Sequence, residues 1–104
     1  MASDLHSVTI IGTVVARPEA REELQGLLAA QVQPTRAEPG CLHYDFHADA
    51  ADPCTFVFYE GWRSQADLDA HMYMPHLRPL TSQIARLLAQ PIEIRHLTLL
   101  SSRA

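Results

Sequence analysis

Lysine is missing from this chain of 104 residues, and its eight basic residues are all arginines scattered along the sequence. The formal net charge is −4 with histidine neutral. Proteins that bind nucleic acid usually carry a clustered basic surface, because contacts to phosphates dominate their affinity. The sequence therefore predicts no nucleic-acid partner.

Long apolar runs are also missing. No stretch approaches the roughly 20 apolar residues that a membrane-spanning helix needs. The first residues, MASDLHSVTI, lack the basic start and the apolar segment of a secretion signal. Cysteine is scarce as well: Cys41 and Cys54 are expected at different heights of one hairpin, as free thiols. We therefore predict a cytoplasmic protein with no membrane partner.

Hydrophobic residues make up 47% of the chain, which is enough for the core of one small domain. We expect this single domain to span residues 1–104, with its core at about 8–100. β-Branched residues predict a first strand over 8–16. Alternating apolar and polar residues predict two more strands, over 41–48 and 54–63, paired as an antiparallel hairpin.

Helices are predicted between these strands. Leucines at helical spacing predict a helix over about 18–36, bent or ended by Pro34. Ser64 is typical of a helix start, a further helical segment is expected over about 77–89, and Pro91 precedes a final strand. The resulting order β-α-β-β-α-β predicts an α+β, ferredoxin-like unit with helices on one face of an antiparallel sheet. Its first and third strands are apolar on both faces, so the second face is expected to be buried against another subunit.

Three segments together resemble the antibiotic biosynthesis monooxygenase (ABM) family: EPGCLHYDF at 38–46, DPCTFVFYEGW at 52–62 and ADLDAHMYMPHL at 66–77. The likeness covers roughly residues 8–100 and is closest to the small quinol-monooxygenase-like members. It implies a homodimeric α+β barrel in which two ferredoxin-like units pack sheet to sheet, each with a pocket between sheet and helices. It also implies oxidation by O₂ with no cofactor, neither flavin nor metal, and the sequence has no Gly-rich dinucleotide motif.

Haem-degrading relatives carry an asparagine on the first strand, and a tryptophan and a haem-ligating histidine in the second helical region. At the matching positions this chain has Thr13, His71, and either Thr81 or Ser82. The resemblance therefore does not extend to haem.

Oxidation without a cofactor requires the substrate itself to give an electron to O₂, which a phenol does far better as its anion. The predicted substrate is a small aromatic molecule, a hydroquinone or polycyclic phenol, and the protein must supply a base and a dry pocket. His71 is the leading base, since the ordinary pKa of histidine, about 6.5, suits proton transfer near neutral pH. Its helical spacing from Leu68 predicts that it faces the sheet. A core histidine satisfied by one hydrogen bond is the alternative.

Glu60 lies in the most hydrophobic run of the chain, FVFYEGW. A carboxylate buried there should be paired or protonated. Two interpretations are open: Glu60 orients His71, as a carboxylate does in acid–base pairs, or it forms a structural salt bridge to Arg63 or Arg36.

The candidate substrate-binding residues are aromatic or lie near the end of the helix that follows Ser64: Tyr44, Phe58, Trp62, Met72 and His76. Trp62 is expected mainly to anchor the strand end. His76 follows Pro75, so helix geometry does not place it beside His71, although it could line the pocket mouth. No metal site is predicted, because His43 and His47 on one strand are about 13 Å apart.

Two other functions suit the same fold. One is an isomerase or detoxifying enzyme that acts on a small reactive carbonyl, in which His71 would again transfer a proton. The other is a stress-response protein that binds a small ligand without catalysis.

Overall fold

The computed structural model describes residues 7–101. One antiparallel sheet contains four strands in the order β2-β3-β1-β4: β1 (Val8–Val15), β2 (Cys41–Ala48), β3 (Thr55–Trp62) and β4 (Glu93–Leu97). This strand order, with helices between β1 and β2 and between β3 and β4, confirms the predicted ferredoxin-like α+β fold.

The first helical region is interrupted where the sequence predicted one helix over 18–36. It consists of a 3₁₀ turn (Pro18–Ala20), α1 (Arg21–Ala29) and α2 (Val32–Arg36). Proline in a helix clashes with the carbonyl group four residues earlier, which for Pro34 is that of Ala30. The break therefore falls before Pro34, which then sits in the first turn of α2, where its missing N–H is not needed.

The second helical region is built from four short pieces: α3 (Gln65–His71), a 3₁₀ turn (Pro75–Leu77), α4 (Arg78–Thr81) and α5 (Ile84–Leu87). Ser64 caps α3 as predicted, since its Oγ accepts a hydrogen bond from the backbone N–H of Asp67 at 3.1 Å. The helical segment predicted over about 77–89 is divided into α4 and α5. The hydroxyls of Thr81 and Ser82 bond to carbonyl groups three residues earlier, which competes with continued helix.

The core lies between the helices and one face of the sheet. Its members are less than a tenth exposed and come from alternate strand positions and from α1, among them Ile10, Val14, Tyr44, Phe56, Phe58, Trp62, Leu24 and Leu28. Strict alternation along β2 would place Leu42 on this face with Tyr44, but Leu42 is 55% exposed. A β-bulge between Cys41 and His43 adds one residue and shifts the alternation there.

The opposite face of the sheet carries a mixture of apolar and polar residues. Ile11 of β1, for example, is paired with Tyr59 of β3 on one side and with Arg95 of β4 on the other. Tyr59 is 39% exposed and Leu97 is 41% exposed. Apolar side chains are thus accessible on the face that the sequence predicted to be buried by another subunit.

Cys41 lies opposite Trp62, at the far end of β3 from Cys54, and both thiols are free. Burial, with the nearby carboxylates of Glu38 and Glu60, raises the pKa of Cys41 to about 11. The thiol is therefore a weak nucleophile at neutral pH. Within residues 7–101, no helix has the length and apolar character needed to cross a membrane.

Candidate functional site

A cavity of about 180 Å³ lies between the sheet and the second helical region. Gly12 contributes open space to it, because a Cβ atom at this position would meet nothing closer than the Cβ atom of Phe58 at 4.0 Å. The walls are mostly aliphatic and include Ile10, Val14, Leu28, Leu80, Ile84 and Ile94. An apolar chamber with a few convergent polar groups is typical of a small-molecule site.

Polar groups enter this cavity from β2, β3 and α3. Tyr44 and Glu60 are opposite each other in the β2–β3 register, and His71 is the last residue of α3. Glu60 is 7% exposed and His71 is 5% exposed. Five residues predicted from the sequence line the cavity: Tyr44, Phe58, Glu60, His71 and Met72.

Glu60 has a different partner from those that the sequence suggested. Its Oε1 accepts a hydrogen bond from Nε1 of Trp62 at 3.0 Å, since residues two apart on a strand share a face. No hydrogen bond joins Glu60 to His71. The two arginines considered as partners are paired elsewhere, Arg63 with Asp67 and Arg36 with Asp45.

Burial raises the pKa of Glu60, because apolar surroundings disfavour the charged carboxylate. The hydrogen bond from Trp62 and the proximity of His71 act in the opposite direction but do not cancel the effect. Burial, and then the charge of Glu60, also raises the pKa of Tyr44. The Tyr44 phenol therefore stays protonated and can donate a hydrogen bond, while Glu60 can exchange a proton closer to neutral pH than an ordinary glutamate.

His71 is held by a carboxylate that sequence reasoning missed. Its Nδ1 lies 2.7 Å from Oε2 of Glu38, and the same oxygen lies 2.8 Å from Nε2 of His76. Glu38 is 8% exposed and precedes β2 in the Pro-Gly turn. The sequence contained one hint, an acidic residue at the start of the EPGC segment that carries the family resemblance.

Helix geometry alone does not place His76 beside His71, but the turn that follows the helix does. The 3₁₀ turn at Pro75–Leu77 returns the chain toward α3, and the two imidazole centroids are 6.0 Å apart. The second nitrogen of His76, Nδ1, lies 2.6 Å from Oε1 of Gln31, between α1 and α2. His76 therefore lies next to His71 but does not line the cavity.

Trp62 is fully buried, and its ring centroid lies 4.7 Å from that of His71. It is not part of the cavity lining. Its hydrogen bond to Glu60 and its contact with the imidazole restrict the positions of both side chains from outside the cavity. This position agrees with the expected anchoring role.

Glu38, His71 and His76 are residue types that bind divalent metals, and their ligand atoms lie within 4.8 Å of one another. Both nitrogens, however, are at hydrogen-bond distance from a single carboxylate oxygen. The arrangement therefore fits a hydrogen-bonded chain better than a metal centre. A neutral His71 that donates from Nδ1 keeps a lone pair on Nε2, for which residues 7–101 provide no hydrogen-bond partner.

Two relatives of similar sequence are named as putative monooxygenases. "Putative monooxygenase Rv0793" of Mycobacterium tuberculosis is 39% identical over 87 residues, which cover 84% of this chain and 85% of that protein. "Putative monooxygenase YcnE" of Bacillus subtilis is 30% identical over 81 residues, or 78% of this chain and 85% of that protein. The uncharacterised protein sll1783 of Synechocystis is 34% identical over 88 residues, and the match spans only 60% of its length.

Solved structures agree with the sequence comparisons. Rv0793 of M. tuberculosis superposes with a TM-score of 0.87 at 36% identity, covering 94% of this chain and 99% of that one. PA3566 of Pseudomonas aeruginosa gives 0.87 at 38% identity, covering 92% and 96%. The profile of the antibiotic biosynthesis monooxygenase family matches residues 7–79. The chain therefore belongs to the antibiotic biosynthesis monooxygenase family.

Proposed function

We propose that the protein is a cofactor-independent monooxygenase that oxidises a hydroquinone or related phenol with O₂. The observation that carries this proposal is the cavity itself, whose apolar walls surround a polar cluster of Tyr44, Glu60 and His71. Membership of the family and the monooxygenase names of two relatives support the reaction class.

In the proposed reaction, Nε2 of His71 takes a proton from the substrate hydroxyl. The resulting imidazolium is stabilised by the Glu38 carboxylate at Nδ1. The phenolate then reduces O₂ in a site from which apolar walls exclude water. A hydroquinone and O₂ give a hydroxyquinone and water, so one oxygen atom enters the product, and the imidazolium returns its proton as water forms.

The size of the cavity favours a substrate of one or two rings. A cavity of about 150 Å³ holds a single benzene molecule, and this cavity is about 180 Å³. A larger polycyclic phenol would extend past the exposed side chains of Met72 and Ile94, which are 57% and 49% exposed. We therefore expect small hydroquinones to be better substrates than three-ring phenols.

Oxygen uptake by chelator-treated protein, with a panel of one-, two- and three-ring phenols, tests this function. We expect saturable uptake above autoxidation that persists in the chelator. Gly12→Val should raise KM at least about tenfold, a loss of roughly 1.4 kcal/mol of binding, because the new side chain occupies the cavity. Valine suits a strand, and the Gly12 backbone is not left-handed.

Thr13→Val is the matched control for Gly12→Val, since the next residue along the strand points to the other face. It should leave KM unchanged. Uptake no greater than autoxidation across the panel would contradict the oxygenase assignment. An unchanged KM in Gly12→Val would contradict the assignment of this cavity as the substrate site.

Isomerisation of a small reactive carbonyl is the second candidate. Two groups suited to proton transfer, Glu60 and His71, line the same cavity, which would allow a proton to leave one carbon and arrive at another. Turnover in the absence of oxygen would favour this reaction. Saturable binding without any turnover would favour the ligand-binding alternative.

We also propose that two copies pack through the helix-free face of the sheet to form a homodimer. Accessible apolar side chains on that face include Tyr59 and Leu97, and their burial would stabilise a dimer. Sedimentation at micromolar concentration should show a dimer, and Tyr59→Glu should shift it toward monomer. A stable monomer of the unaltered protein would contradict the proposal.

A further inference from the structure

Four polar side chains are linked one to the next by short polar contacts, starting at the cavity: His71, Glu38, His76 and Gln31. We propose that Glu38 and His76 are positioning residues for the His71 base, with Glu38 setting its tautomer and its orientation and His76 fixing Glu38. This inference rests on the proposed function only where it concerns turnover. The structural part concerns the resting protein.

The Glu38 carboxylate is only partly compensated in the resting protein. Both imidazoles bond to its Oε2, whereas its buried Oε1 has no hydrogen-bond partner among residues 7–101. A buried carboxylate with too few donors is unstable unless positive charge or further hydrogen bonds compensate it. A proton arriving on His71 supplies that charge 2.7 Å from the carboxylate. A protonated His71 would thus form a charge-assisted hydrogen bond to Glu38.

The bond to Glu38 also selects the tautomer of His71. The Glu38 carboxylate can only accept a hydrogen bond. The neutral His71 ring therefore carries its proton on Nδ1, which faces this carboxylate, and keeps its lone pair on Nε2. The opposite tautomer would place a lone pair against a negative oxygen. Glu38 thus determines which ring nitrogen acts as the base.

His76 restrains the carboxylate from the other side. Its Nε2 donates to the oxygen that also holds His71, and its Nδ1 lies within hydrogen-bond distance of the side-chain amide of Gln31, which is 3% exposed. The His76 side chain is 21% exposed, against 6% for His71. His76 therefore lies on the solvent side of the chain, where it limits rotation of the carboxylate without entering the cavity.

Histidine NMR on ¹⁵N-labelled protein tests this without any substrate. At a pH where it is neutral, His71 should carry its proton on Nδ1. In Glu38→Gln the amide oxygen can replace the shared Oε2, so the tautomer should persist. In Glu38→Ala the tautomer preference should be lost. His71→Gln assigns the resonance.

Kinetics then link the chain to turnover. Glu38→Gln should reduce kcat, because a neutral amide stabilises the imidazolium formed in the reaction less than the carboxylate does. The other titratable groups facing His71 are Glu60, His76 and Tyr44, which these variants leave in place. Glu38→Ala should reduce kcat by about 10²–10⁴-fold, with a smaller change in KM.

Two substitutions at His76 separate hydrogen bonding from simple packing. Glutamine keeps an N–H group that can donate to Glu38, whereas leucine fills similar space without a donor. We expect His76→Leu to reduce kcat and to weaken the preference of His71 for the tautomer protonated on Nδ1. His76→Gln should keep both kcat and this preference close to those of the unaltered protein. His47→Gln, on the opposite face of the sheet, is the control and should change neither.

An unchanged tautomer of His71 in Glu38→Ala would overturn the proposal, whatever the activity. Micromolar binding of Zn²⁺ that removes the His71 and His76 signals would overturn it in favour of a metal site. The expected NMR results in a protein that oxidises no substrate would support the positioning chain and contradict only the proposed oxygenase function.

Discussion

Replacing His71 with alanine is expected to lower hydroquinone turnover by about 10²–10⁴-fold, the usual contribution of a general base. The imidazole is the cavity-lining group whose Nε2 is free to accept a proton while Nδ1 is held by Glu38. Without it, the phenol must lose its proton to water in an apolar site. Initial rates of oxygen uptake measure the effect.

The control for His71→Ala is His43→Ala, which removes an imidazole from the opposite face of the sheet. Circular dichroism should show that both variants keep their fold, and sedimentation that His71→Ala keeps the assembly state of the unaltered protein. Activity close to that of the unaltered protein in His71→Ala would exclude this residue as the base and leave Glu60 as the candidate.

Replacing Trp62 with alanine is expected to lower the free energy of unfolding by about 3–5 kcal/mol, as for large buried aromatic residues. The side chain is fully buried, contacts the His71 ring and donates the hydrogen bond that Glu60 accepts. Its loss opens a cavity and leaves a buried carboxyl group without its donor. Urea unfolding at a fixed protein concentration measures the change.

Two further variants identify what Trp62 contributes. Trp62→Phe keeps most of the apolar volume but removes the donor, so it should cost about 1–3 kcal/mol. Tyr73→Ala removes an aromatic ring that is 88% exposed and should change stability by no more than about 0.5 kcal/mol. A cost for Trp62→Ala as small as that for Tyr73→Ala would contradict the anchoring role.

Residues close together in the sequence could be placed correctly from local patterns. The predicted strand over 41–48 coincides with β2, because alternation along a strand repeats every two residues. Ser64 could be recognised as a cap, since a capping hydrogen bond spans only three residues. Where the local pattern changes, the prediction fails: the bulge before His43 turns Leu42 outward.

The sequence by itself determined the order of strands and helices, the family, and the histidine and glutamate that line the cavity. Only the tertiary structure decided which groups touch them. Glu38 reaches His71 across 33 residues, and Trp62 rather than an arginine meets Glu60. Periodicity shows which face of an element a side chain occupies, but contacts between elements depend on turns, bulges and helix breaks that set their relative positions. The partner of the proposed base is for this reason a property of the fold and not of any local pattern.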